Sequence, residues 1–164
     1  MLYRRYKPED FAALYAIEEA CFQPPLRFGR RYMRQLVLSP YTATWIAEQD
    51  GRMAGFAIVD WAQDSDATVA YIQTIEVAAA ERRQGVGEEL LRCLENSARA
   101  AGAHAIWLHV DAENSAAIRL YERQGYAAQG REEHYYTRRR AALIYSKLLA
   151  QSDPCATDPA NSAL

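Results

Sequence analysis

The chain has 164 residues, half of them hydrophobic, which suits one domain built on one sizeable core. A formal net charge of −2 argues against general nucleic-acid binding, and no apolar run approaches membrane-spanning length. The scattered Cys21, Cys93 and Cys155 offer neither metal-ligand spacing nor a disulfide framework, and no signal-peptide core precedes the first predicted element, so a cytoplasmic protein without metal is expected.

In chain order, a short strand is predicted over residues 2–6. A helix follows, opened by Pro8 and carrying Phe11, Leu14, Ile17 and Ala20 on one face. Phe22-Gln23-Pro24-Pro25-Leu26 ends it, because neither proline continues a helix. A second helix is expected over residues 30–38, stopping before Ser39-Pro40. Strands over 44–49 and 53–62 are joined by Asp50-Gly51, a strong hairpin signal. A strand over 68–77 leads through a turn into a helix with Leu90, Leu91, Leu94 and Ala98 at helical spacing. Then come a strand over 105–110 and a helix over 115–124 that Gly125 closes as a left-handed cap. Two last strands cover 126–133 and 142–149, with a loop centred on 136–139. Residues 1–150 thus form the domain, and residues 151–164, rich in Ser, Asp, Pro and Ala, read as a disordered tail. The order β-αα-βββ-α-β-α-ββ implies an α+β fold, a mixed sheet of about seven strands with helices on both faces.

The turn Arg82-Arg83-Gln84-Gly85-Val86-Gly87 is the most telling segment. A turn that opens a helix presents unpaired N–H groups and the positive end of the helix dipole, and Gly85 and Gly87 leave those donors accessible. An anion is expected there, most plausibly a pyrophosphate. No GxxxxGK[ST] is present, and two glycines without βαβ repetition exclude a dinucleotide fold. Taken alone, two glycines before a helix are more often a plain strand-to-helix connection.

A second segment resolves that ambiguity. Asn114-Ser115-Ala116-Ala117-Ile118-Arg119-Leu120-Tyr121, placed one strand after the Gly85–Gly87 turn, resembles with it the GNAT superfamily of acyl-CoA-dependent N-acetyltransferases. The resemblance covers roughly residues 2–149. Within it the chain is similar to N-terminal protein acetyltransferases, among them the bacterial enzyme for the N-terminal alanine of a ribosomal protein. At the chemistry it is also similar to the catalytic subunit of the eukaryotic NatE complex, through Tyr71-Ile72-Gln73-Thr74, Leu108-His109-Val110 and Tyr135-Tyr136. The bacterial enzyme has a glutamate where His109 stands, and Ala79 replaces a proline frequent in the family.

The resemblance implies acetyl-CoA as co-substrate. Backbone groups of Ile75, Glu76 and Val77 would pair with the pantetheine arm, and amides across Arg82, Arg83, Gln84, Gly85, Val86, Gly87 and Glu88 would take the pyrophosphate. Asn114, Ala117 and Tyr121 would line the arm from the second motif, with Asn114 equally placed to cap its helix. Tyr121 would protonate the departing sulfur, since a phenol near pKa ~10 can serve as that acid. His109, of ordinary pKa near ~6.5, would act as base with Tyr71 through a water; an α-amine titrates near ~8, so modest help suffices. Glu76 is a rival base, read as lying on the strand face opposite Tyr71. Phe22, Pro25 and Leu26 would form one wall of the acceptor site and Tyr135 and Tyr136 the other. The reading is direct, ternary-complex transfer to protein or peptide N-termini, with a ribosomal protein among possible partners, by a monomer or homodimer. A small-amine or amino-acid acetyltransferase and a non-catalytic acyl-CoA sensor are the alternatives.

Overall fold

The computed structural model describes residues 1–64 and 67–150; the expected tail lies outside the described residues. Strand β1 (Leu2–Arg5) leads through a 3-10 turn at Pro8–Asp10 into α1 (Phe11–Cys21). Arg4 clamps this entry, donating to both carboxylate oxygens of Asp10 at 2.8 Å and to Glu48 at 2.8 Å. With about 3.6 residues per turn, the buried stripe is Phe11, Leu14, Tyr15 and Glu18, at i, i+3, i+4 and i+7. The expected stripe is corrected accordingly: Ile17 is half-buried and Ala20 exposed.

Helix α2 (Arg30–Leu38) has the expected bounds. Strands β2 (Thr42–Gln49) and β3 (Arg52–Asp64) meet at Asp50 and Gly51, both at positive φ (52° and 73°), as a tight two-residue hairpin requires. β4 (Ala67–Val77), α3 (Val86–Ala100), β5 (Ala103–Asp111) and α4 (Ser115–Arg123) follow, with Gly125 at φ 83° ending the last helix. β6 (Ala127–Thr137) and β7 (Arg140–Leu148) form the closing hairpin. Tyr135 and Tyr136, expected at and beside a loop, therefore sit at the end of β6; the turn is reduced to Arg138 and Arg139.

The seven strands form one sheet in the order β1-β2-β3-β4-β5-β7-β6. Only β4 and β5 run parallel. Helix α3 and α4 residues pack one face around Val59, Ile72, Leu90, Leu94 and Ile106. Helices α1 and α2 cover the other around Leu14, Met33, Ile46, Phe56 and Ile58. Both faces are apolar, so the central strands are buried on two sides, and the fold class expected from the sequence is the one observed. Among the described residues no helix is long and apolar enough to cross a membrane.

Candidate active site

Two features of β4 create an opening in the middle of the sheet. First, β4 pairs with β5 only from Thr68–Ala103 to Tyr71–Trp107, after which the strands part. The later residues of β4 thus present an unpaired edge at a fork. Second, the register against β3 jumps: Ile58 faces Thr74 while Val59 faces Ile72, leaving Gln73 as an extra residue. Such a bulge reverses the side-chain parity beyond it.

On the α3 side, the fork opens into a cavity of about 940 Å³ lined by Ile75, Val77, Gly85, Gly87, Asn114 and Tyr121, among others. Gly85 has φ 80° and Arg83 φ 61°, so the chain turns sharply before α3. No side chain caps α3, and the N–H groups of its first turn have no intrahelical acceptor. A Cβ on Gly87 would stand 3.5 Å from Leu120 Cδ2, an ordinary contact, so the protein's own packing does not require glycine there. The bare turn instead leaves a cradle for a ligand. These features fit the pyrophosphate and pantetheine of acetyl-CoA.

Neighbouring side chains are already engaged. Arg82 Nε donates to the Val77 carbonyl at 3.0 Å and its Nη2 lies 3.5 Å from Cys21 Sγ, so this guanidinium ties the turn to α1. The Val77 carbonyl is accordingly occupied. Gln84 Nε2 donates to the Ala80 carbonyl at 3.1 Å. Asn114 Oδ1 accepts from the Ala117 N–H at 3.1 Å, which makes Asn114 the N-cap of α4 as well as a lining residue. Tyr121 is buried, and its hydroxyl makes no hydrogen bond among the described residues. Burial first, then Tyr136, raises its pKa, so the phenol keeps its proton.

On the opposite face the cluster centres on His109. Its Nδ1 is 3.2 Å from the Tyr71 hydroxyl and its Nε2 3.0 Å from Glu132 Oε2. With Nε2–H donating to Glu132, Nδ1 is free to accept from Tyr71. Tyr135 stacks on the imidazole at 4.3 Å with 9° between the rings, and Tyr136 meets Tyr135 edge-on at 4.8 Å. Trp107 packs edge-on against Tyr71 at 4.6 Å. Burial, then the adjacent Tyr135, raises the Tyr71 pKa, so Tyr71 is also a neutral phenol. Of the expected acceptor wall, Phe22 and Leu26 are half-buried and Pro25 is exposed in the α1–α2 connection, and Phe22 lines the cavity.

Residues 11–126 match the Acetyltransferase (GNAT) family. The chain belongs to this family. It is 30% identical over 134 residues, 82% of its length and 85% of the other, to a putative ribosomal protein bS18-alanine N-acetyltransferase of Bacillus subtilis. It is 38% identical over 87 residues to the streptothricin acetyltransferase of Streptomyces lavendulae, a match covering 53% of this chain and 45% of that protein. The crystal structure of the ribosomal-protein-S18-alanine N-acetyltransferase from Escherichia coli superposes with a TM-score of 0.79 at 27% identity, covering 94% and 97% of the two chains.

Two features of this GNAT chain depart from the sequence reading. Glu76 was expected on the face opposite Tyr71. The bulge at Gln73 overturns that: Tyr71 lies across from Asp60, and Thr74 and Glu76 lie across from Ile58 and Phe56. All therefore share the α1/α2 face, while Ile75 and Val77 join the α3 side. Glu76 is buried against Glu18, with Oε1 accepting from the Thr74 hydroxyl at 2.8 Å and Oε2 lacking a partner. Glu18 Oε1 accepts the Phe28 N–H at 2.6 Å, and its Oε2 likewise lacks a partner. Burial, then the neighbouring Glu18, pushes the Glu76 carboxyl far above the ordinary range. Glu76 thus keeps its proton in the folded chain, beside a Glu18 that ties the α1–α2 connection through the Phe28 N–H. The second departure is Glu132, which sequence reasoning did not single out. It reaches His109 from a strand that is two places away in the sheet, with β7 between; His109 pairs with Ile144 and Glu132 with Ala142, two residues apart on β7, and that register brings the side chains together.

Proposed function

We propose that the protein transfers the acetyl group of acetyl-CoA directly to the α-amine at the N-terminus of a protein or peptide, within a ternary complex. One observation carries this reading: β4 parts from β5 directly beyond Tyr71, with the bare α3 turn on one side of the fork and the Tyr71–His109 pair on the other. Acetyl-CoA supplies the acyl group and a thiolate leaving group. Backbone N–H groups from Arg83 to Glu88 hold its pyrophosphate, while the β4 edge from Ile75 to the Val77 N–H takes the pantetheine.

The residues around the fork divide the proton work. Glu132 fixes the His109 tautomer, so Nδ1 draws on the Tyr71 hydroxyl, which passes on the proton of the attacking amine. Tyr121, kept protonated by burial, donates its phenolic proton to the departing sulfur. Val77 N–H is positioned to steady negative charge on the acyl oxygen. Tyr135, Tyr136 and the Phe22–Leu26 segment narrow the acceptor side, favouring a chain end over a lysine within a chain. The likeness to bS18-alanine acetyltransferases supports a protein N-terminus, a ribosomal one included.

The test is an acetylation panel with acetyl-CoA: peptides beginning Met, Ala or Ser against polyamines and aminoglycoside-like drugs. Transfer to peptide α-amines is expected. Activity confined to small amines would instead favour the reading suggested by the streptothricin acetyltransferase likeness.

A further inference from the structure

Asp60, on β3, faces Tyr71 across the ladder on the α1/α2 side, and so stands beside the proposed acceptor position. Its Oδ2 accepts from Gln73 Nε2 at 2.8 Å; Gln73 is the bulge residue of β4. Gln73 Oε1 in turn lies 3.5 Å from the hydroxyl of Tyr32, which is 44% exposed on α2. Burial, then the nearby Asp60 and Tyr135, raises the Tyr32 pKa, so the three side chains lie near one another. Among the described residues Asp60 has no cationic partner, and the residues outside that set include no Lys, Arg or His. Two of the α2 arginines, Arg30 and Arg34, lie over the rings of Phe11 and Tyr15.

A half-buried carboxylate held in place by an amide but left without a counter-charge is costly unless something brings the charge to it. The acceptor is the one participant that must come this close. We propose that Asp60 is a specificity residue that selects N-termini carrying Lys or Arg at the second position, by pairing with that side chain while the α-amine meets Tyr71. Gln73 and Tyr32 position the carboxylate. The inference rests on the proposed function and names the substrate class within it. An acidic second residue faces like charge and is disfavoured.

The experiment compares kcat/KM for peptides differing only at position two: Ala-Arg, Ala-Gln and Ala-Glu. With the native protein the Arg peptide should lead the Gln peptide by about tenfold, and the ratio should shrink as salt is raised. In Asp60→Asn, whose amide oxygen still accepts from Gln73, the Arg:Gln ratio should fall toward one and the Glu peptide should gain relative to Gln. An unchanged ratio in Asp60→Asn overturns the proposal. So does equal use of all three peptides by the native protein, which would leave the proposed function standing. Acetylation of polyamines with none of the peptides would overturn both. Should Asp60→Asn fail to fold, the salt dependence of the native Arg:Gln ratio decides alone: a ratio indifferent to salt refutes the pairing.

Discussion

Replacing Glu76 with Gln removes the carboxyl whose proton burial holds in the folded chain. In the native state Glu76 keeps its proton because it is buried beside Glu18. In the unfolded chain it titrates near pKa ~4.3. Above that pH the unfolded state binds fewer protons than the native one, so stability falls as pH rises, by up to about 1.4 kcal/mol per pH unit. Between about pH 5 and pH 8 the limit is therefore ~4 kcal/mol, and relaxation around the pair makes about 2 kcal/mol the expected size. The glutamine retains an oxygen for the Thr74 hydroxyl and offers an N–H to Glu18 Oε2, which otherwise lacks a partner. Urea unfolding of both proteins at several pH values in that range is the assay. Glu76→Gln should match the native protein near pH 5 and exceed it by about 2 kcal/mol near pH 8. Parallel pH profiles for the two proteins would refute the reasoning, since they would mean that Glu76 ionises in the native state.

Other substitutions separate binding from chemistry and from folding. Gly87→Ala should leave thermal stability intact, because its Cβ meets only an ordinary contact, yet weaken CoA binding by about tenfold or more in calorimetric titration. Tyr121→Phe should cut kcat by roughly a hundredfold with CoA affinity nearly unchanged, read by steady-state kinetics beside titration. His109→Ala should lower kcat/KM by a similar ~100-fold, whereas Glu132→Gln should cost less, since it orients the imidazole rather than accepting the proton. Gly55→Ala should lower stability by about 1–3 kcal/mol in denaturant titration, as its Cβ would fall 2.5 Å from the Glu76 carbonyl oxygen and backbone must move.

Local chemistry made most of the fold legible. Helix α2 stops where Ser39-Pro40 implies, and Asp50-Gly51 turns the hairpin it signals. The α3 turn was readable because Gly85 must take a left-handed φ and leaves the helix uncapped. Long-range register was not readable. The bulge at Gln73 carries no glycine or proline to mark it, yet it moves Glu76 to the face of Tyr71. Glu132 meets His109 only through the pairings of an intervening strand. The stripe on α1 was misjudged in its period: steps of three from Phe11 drift off the face that a turn of about 3.6 residues buries, which takes Tyr15 and Glu18 instead of Ile17 and Ala20. Tyr71 and His109 were named on resemblance, and the 3.2 Å between them is a fact of three-dimensional folding that neither strand encodes alone.

A peptide with a free α-amine and an internal lysine, incubated with the protein and acetyl-CoA and sequenced by tandem mass spectrometry, tests the proposed activity most directly. The acetyl group should be found on the α-amine and the lysine left free. Acetyl on the lysine alone, or no transfer by protein that binds CoA, would contradict it.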